Sequence, residues 1–224
     1  MDEVPRFPEL QLDFIESRVL GAILEKETTT PDYYPMTLKS IESACNQTSN
    51  RFPVTRLSPD EVGEAVQRLR KKELLMQVHI SGSRVPKYEH QLPEILDLTS
   101  SEKAVLTVLL LRGIQTAGEI KQRAERMHPF ENVAQVEEIL QGFIDYPYGP
   151  LVRELPVGGG RRVKTYGHLL GGETGFDQEF LPPETESTAT PGQGSDLEER
   201  VRILEEKVAR LSAELGLTPS EDHE

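Results

Sequence analysis

Cysteine is almost missing from this chain of 224 residues: Cys45 is the only one. A single thiol excludes an internal disulfide and fits a reducing compartment. No stretch reaches the roughly 20 apolar residues of a membrane span. The opening residues, MDEVPRFPELQ, lack the basic start and apolar stretch of a signal peptide. A soluble, cytoplasmic protein with no membrane partner is expected. Signatures of chemistry are scarce as well. His79, His90, His128, His168 and His223 show no metal-ligand spacing, and His168 reads as a partly buried packing residue. The glycine-rich VGGGRRVK lacks the G-x-x-x-x-G-K-[ST] of a P-loop and suits a hairpin tip. No serine or cysteine sits in a nucleophile signature. No catalytic residue, metal or cofactor is expected, and the chain reads as non-enzymatic.

Positive charge is also short. The formal net charge is −13, but the deficit is uneven. Residues 10–172 are nearly balanced, with 21 acids against 20 Lys and Arg, whereas residues 173–224 carry a net of −10. The acidity belongs mostly to the tail, so it does not exclude nucleic acid as a partner of the rest.

Helix starts are abundant. A capping box places Ser, Thr, Asp or Asn three residues before Glu or Gln, so that each satisfies an orphan backbone N–H. Such pairs occur at Asp13–Glu16, Ser58–Glu61, Thr99–Glu102, Thr116–Glu119, Asn132–Gln135 and Ser195–Glu198. Helical periodicity follows them. Ile15, Val19 and Ile23 predict the apolar face of a first helix. Leu38, Ile41 and Cys45 mark a second, and Val62, Val66 and Leu69 a third. Alternation of Met76, Val78 and Ile80, the turn SGSR and a returning VPKYEH predict a β-hairpin. The order then repeats. An apolar helix runs from Thr99 to Leu111, Ile120, Ala124 and Met127 mark the next, and Val136, Ile139, Leu140 and Phe143 a third. A hairpin follows from LVRELPV and VKTYGHL. Two copies of one module of about 80 residues are expected, each with its own small interior.

Three helices closed by a hairpin are the winged-helix arrangement, a helix-turn-helix variant. The expected fold class is mainly α with small β-hairpins: tandem winged-helix domains plus a C-terminal coiled-coil helix. The expected boundaries are a flexible N-terminus (1–11), domain 1 (12–91), domain 2 (92–172), a disordered linker (173–195), the coiled-coil helix (196–217) and a disordered tail (218–224). The chain resembles the bacterial YceH-like family in YYPMTLKSIESACNQTSNRFPV, SRVPKYEH, LLLRGIQTAGEIKQRAERM and RRVKTYGHLLGG. That resemblance spans roughly residues 12–172. It implies two winged-helix domains and a cytosolic setting, and no activity. The family pattern has a lysine after the Asn-Gln pair and a non-aromatic residue before Pro-Val. This chain has Thr48 and Phe52 there, which weakens a phosphate-binding role for the turn.

Function reads two ways. A base-reading helix offers Arg, Lys, Asn or Gln from its first turns. Both third helices open with acid instead: Asp60, Glu61 and Glu64, then Glu131, Glu137 and Glu138. Bases lie elsewhere, at Arg84 and Lys87 on the first hairpin, at Lys121, Arg123 and Arg126 on a helix, and at Arg161, Arg162 and Lys164 on the second hairpin. These are candidates for tracking phosphates of duplex DNA without reading sequence; the competing reading is a solvated charged surface. In the turn Ala44–Val54, Asn46, Gln47, Asn50 and Arg51 are candidate phosphate contacts. The competing reading is a structural turn with Cys45 buried and Asn46 as a helix C-cap. Leu197, Val201, Leu204, Val208, Leu211 and Leu215 keep a four-three spacing. Valine at two of three a positions and leucine at d favour a parallel homodimer, against a single amphipathic helix packed on the chain's own body. The first function reading is a weakly selective DNA-binding, regulator-like protein. The alternative is a scaffold that binds a protein partner through its winged-helix surfaces and the coiled coil.

Overall fold

The computed structural model describes residues 11–80, 82, 85–155 and 163–171. The chain divides into two units, Met1–Pro182 and Pro183–Glu224, and every described residue belongs to the first. The expected linker and coiled-coil helix, with Leu197, Val201, Leu204, Val208, Leu211 and Leu215, lie outside the described residues.

The described residues are mainly helical, with two small antiparallel sheets. The first half runs α1 (Phe14–Thr29), a 3-10 turn (Pro31–Tyr33), β1 (Met36–Thr37), α2 (Leu38–Cys45), α3 (Pro59–Lys71), β2 (Leu75–Val78) and β3 (Lys87–His90). The second half follows the short α4 (Leu92–Ile95) with α5 (Ser100–Arg112), α6 (Ala117–Ala124), α7 (Val133–Ile144), β4 (Val152–Leu155) and β5 (Thr165–His168). Three helices and a hairpin therefore occur twice. The repeat extends to a feature that periodicity did not predict. Met36, just before α2, pairs with Tyr88 of β3. Gln115, just before α6, forms an isolated bridge with Tyr166 of β5. Both tyrosines are 7% exposed.

Local chemistry sets the helix starts. Reciprocal capping boxes close α1 (Asp13 and Glu16), α3 (Ser58 and Glu61), α5 (Thr99 and Glu102) and α6 (Thr116 and Glu119). Each cap contributes about 1 kcal/mol. At α7 only half of the expected box forms: Asn132 accepts from the Gln135 N–H, but the Gln135 side chain accepts from Glu131 N–H. Helix α2 is capped by the Thr37 hydroxyl, which accepts from Ser40 N–H.

Tertiary packing overrode two periodicity readings. Helix α1 is buried on every side from Glu16 to Glu25, not along one stripe. It lies between α5 on one side and α2 and α3 on the other. In the first hairpin the phase is shifted by one residue. Leu75 faces inward opposite His90, while Met76 is 46% exposed and Ile80 lies beyond β2 at 40%. A one-residue shift moves an entire side-chain set to the other face of a strand.

Helix α5 is likewise buried without a break from Ala104 to Leu111. Both are interior helices over these spans, α5 almost wholly apolar and α1 with Arg18 and Glu25 buried among its apolar residues, and the two pack on each other. The buried apolar residues of both halves consequently form one continuous cluster instead of two separate interiors. Gly21 allows the approach: a Cβ built there would stand 3.0 Å from Leu110 Cβ and from Leu111 Cδ2.

Replacing Gly21 by Val should lower stability by about 2–3 kcal/mol, because overpacking outweighs the small gain in helix propensity. Gly63 in α3 is the opposite case, since its added Cβ would meet only Leu38 Cδ2 at 3.8 Å. Gly63→Ala should gain about 0.5–1 kcal/mol. Urea unfolding followed by circular dichroism checks both signs.

Candidate functional site at the seam of the two halves

The stretch from Ala44 to Leu57 joins α2 to α3 and is held by two arginines that periodicity hides. Arg18 stands in the buried span of α1 and is 1% exposed. Its Nη2 donates to the carbonyls of Phe52 (3.0 Å) and Pro53 (2.9 Å). Its Nη1 donates to the carbonyl of Cys45 (3.5 Å) and to the Thr55 hydroxyl (3.3 Å). The Phe14 ring lies 5.1 Å from the guanidinium carbon. Burial, followed by the charge of Arg51, pushes this guanidinium down to about 10.

Arg51 comes from the turn itself and points inward. Its Nε donates to the Ala44 carbonyl at 2.9 Å, and its two terminal nitrogens grip Glu25 at 2.9 and 2.6 Å. Both side chains of this pair are shut off from solvent. The second half supplies Arg126, just beyond α6, whose Nη2 also donates to Glu25 Oε1. Burial pushes the Glu25 carboxyl up, but hydrogen bonds and charge from Arg51 and Arg126 outweigh it, and the net direction is down. Phe52 N–H donates to the Leu111 carbonyl at 3.0 Å, a second tie between the halves.

The candidate phosphate contacts in this turn, Asn46, Gln47, Asn50 and Arg51, have the following surroundings. Arg51 is 3% exposed and engaged with Glu25, because a carboxylate buried in α1 demands a cation. Asn46 does cap α2, but at φ −90°, outside the left-handed region. Its side chain is spent on Leu57, accepting from the N–H at 2.7 Å and donating to the carbonyl at 2.8 Å. Gln47 Oε1 accepts from Arg51 at 3.3 Å. Asn50 is the residue with positive φ, 58°. Cys45 is buried, and burial pushes its thiol up to about 12.

Three of the other candidate bases carry acid partners. Arg123 pairs with Glu119 at 3.1 Å, Lys121 with Glu125 at 3.9 Å, and Lys164 with Glu154 at 3.1 Å. Lys87 begins β3 and is half-buried. Arg84, Arg161 and Arg162 lie outside the described residues. The structure brings Asn50, Arg123 and Arg126 together, with Gln122 and Glu125, around an open cleft of 490 Å³. Lys87 and Lys164 do not line it. The sequence reading missed Arg18 and Glu25. Their signal was available, since charges seven residues apart in an otherwise apolar helix share one face.

A neighbouring cluster links α1, α5 and β3. Glu27 lies 3.0 Å from His90 Nε2 and pairs with Lys103 Nζ. The hydrogen bond from His90, then that from Lys103, hold its carboxyl at about 2 against the opposing effect of burial. His168 at the end of β5 is half-buried, and burial pushes its imidazole down to about 4. Among the described residues no group of three His, Cys, Asp or Glu side chains is placed to hold a metal. No described helix is long and apolar enough to cross a membrane.

The family described as "Protein of unknown function, DUF480" matches residues 12–173. The chain is 46% identical over 208 residues to a UPF0502 protein of Geobacter sulfurreducens, covering 91% of each chain. It is 44% identical to a UPF0502 protein of Pelobacter propionicus, covering 93% of this chain and 94% of the relative. A UPF0502 protein of Saccharophagus degradans is 38% identical over 92% of this chain and 96% of its own.

Glu25→Gln should cost about 3–5 kcal/mol, because two cations lose a desolvated partner. Glu138→Gln on the exposed face of α7 should stay within about 0.5 kcal/mol. Urea unfolding measures both. Acid should also destabilise the fold by linkage. The Glu27 contribution is present above the ordinary 4.5 and is lost as pH falls toward about 2. The His168 contribution has the same sign: the unfolded imidazole takes its proton near 6.5 and the folded one near 4. The urea midpoint should fall between these limits, and Glu27→Gln should flatten the lower part of the curve.

Proposed function

The chain belongs to the DUF480 family, and we propose that it is a non-enzymatic, cytoplasmic tandem winged-helix protein that acts as a protein-binding scaffold. Residues 12–91 and 92–172 are its two modules, and the heptad at 196–217 pairs it into a homodimer. The observation that carries this reading is the solvent face of both third helices. Helix α3 exposes Asp60, Glu61, Glu64 and Gln67, and α7 exposes Glu137, Glu138 and Gln141. Of the cations at its far end, Arg68 bonds Asp13 and Glu16, and Lys72 just past the helix bonds Glu16 at 2.6 Å, while Lys71 stays exposed. In a winged-helix protein this element enters the major groove. Carboxylates there repel phosphates and cannot pair with guanine. They suit a basic protein surface instead.

Weak, sequence-independent contact with duplex DNA is the second reading. The bases Arg161, Arg162 and Lys164, which follow Gly158, Gly159 and Gly160 in the sequence, support it, with Arg84 and Lys87.

Fluorescence anisotropy with duplex DNA separates the two. The expected result is no binding, or weak binding that is equal across sequences and lost steeply with salt. Glu64→Lys with Glu137→Lys should strengthen any binding. Tight binding to one sequence at physiological salt would overturn the scaffold reading. A partner retained from nuclease-treated lysate by the native chain, and lost with those two lysine changes, supports it.

A further inference from the structure

The cleft lined by Asn50, Gln122, Arg123, Glu125 and Arg126 has more positive charge around it than the protein neutralises. Arg123 and Arg126 line it. Arg51 shares Glu25 with Arg126. Arg112, at the end of α5, stands near enough for the charges of Arg123, Arg126 and Arg51 to add to the effect of burial in lowering its pKa. Against these four guanidiniums stand two paired carboxylates, Glu25 and Glu119. Glu125 is matched by Lys121.

Hydrogen bonding is incomplete at the same place. Arg112 Nε and Arg123 Nη1 are both shut off from solvent, and neither has a hydrogen-bond partner among the described residues. A buried donor without an acceptor costs about 1–3 kcal/mol, more when charged. Two such donors leave the guanidinium cluster beside the cleft short of acceptors as well as of negative charge.

We propose that this cleft is a binding site for a small phosphate-bearing ligand, held by Arg123 and Arg126 with Arg112 behind them. A phosphate group carries about −1.5 to −2 charge at neutral pH and offers three acceptor oxygens. That charge matches the excess of the site, and guanidinium forks match the oxygens in geometry. Asn50 and Gln122 add neutral amides at the wall. The cleft is open and its volume of 490 Å³ exceeds what a bare phosphate fills, which leaves room for an attached group. An esterified phosphate therefore fits better than the free ion. Because Arg126 and Asn50 come from opposite halves, such a ligand would tighten the seam. The proposal does not depend on whether the third helices contact protein or DNA.

The test uses the full chain with inorganic phosphate and adenosine monophosphate as probes, read by thermal unfolding and by isothermal titration against chloride of equal ionic strength. The expected result is a saturable rise in melting temperature, larger with the nucleotide. Arg123→Gln should weaken binding roughly tenfold or more, the loss of one charge-assisted contact. Gln122→Glu, an exposed change that leaves every ion pair intact, should weaken it too and guards against a folding defect in the arginine variant. A larger response to inorganic phosphate than to the nucleotide would assign the free ion as occupant. No saturable response to either probe, or an unchanged affinity in a natively folded Gln122→Glu, would overturn the proposal.

Discussion

A carboxylate without access to water has to be answered by cations, and Glu25 is answered from both halves of the fold. Arg51 reaches it from the turn after α2, and Arg126 from the end of α6. Desolvating Glu25 and Arg51 is expensive, and the Coulombic gain offsets that cost only when the geometry is complete. The arrangement therefore permits one relation between the halves. If Arg126 were to move away, Glu25 would keep only part of its neutralisation. The turn is constrained in the same way. Arg18 holds the carbonyls of Cys45, Phe52 and Pro53, so the inner side of this polar segment has partners for these backbone groups.

Around this seam the repeated architecture is more consistent than its sequence. The residue two places before the second helix of each half pairs with a buried tyrosine of the returning strand, Met36 with Tyr88 and Gln115 with Tyr166. The two copies are nevertheless not independent. Helices α1 and α5 are buried on all sides and pack against each other, with a close approach at Gly21. Leu12 N–H donates to the Leu170 carbonyl at 2.7 Å, so the two ends of the described body are tied as well.

The distribution of charge follows from these constraints. Arginines that a surface count would assign to a nucleic-acid face are directed inward or held by acids. Arg51 and Arg126 serve Glu25, and Arg68 serves Glu16 and Asp13. The charged residues exposed on α3 and α7 are acidic apart from Lys71. Positive charge gathers at the cleft between the halves, where it exceeds what Glu25 and Glu119 neutralise.

The sequence by itself determined the helices, their starts and the hairpins, because caps, turns and periodicity are local. Asp13, Ser58, Thr99 and Thr116 each act within three residues of their own position. It also contained the duplication and the burial of Cys45. The phase of β2 was not local, since the alternation of Met76, Val78 and Ile80 reads equally well on either face until Leu75 meets its partner across the sheet. Only the tertiary structure decided that the halves share one interior and that Arg51 points away from solvent. It also brought Arg112, Arg123 and Arg126 close together. Those outcomes depend on groups brought together across as many as 101 residues, as Glu25 and Arg126 are. Desolvation acts on a charge according to what surrounds it in space, which spacing along the chain does not encode.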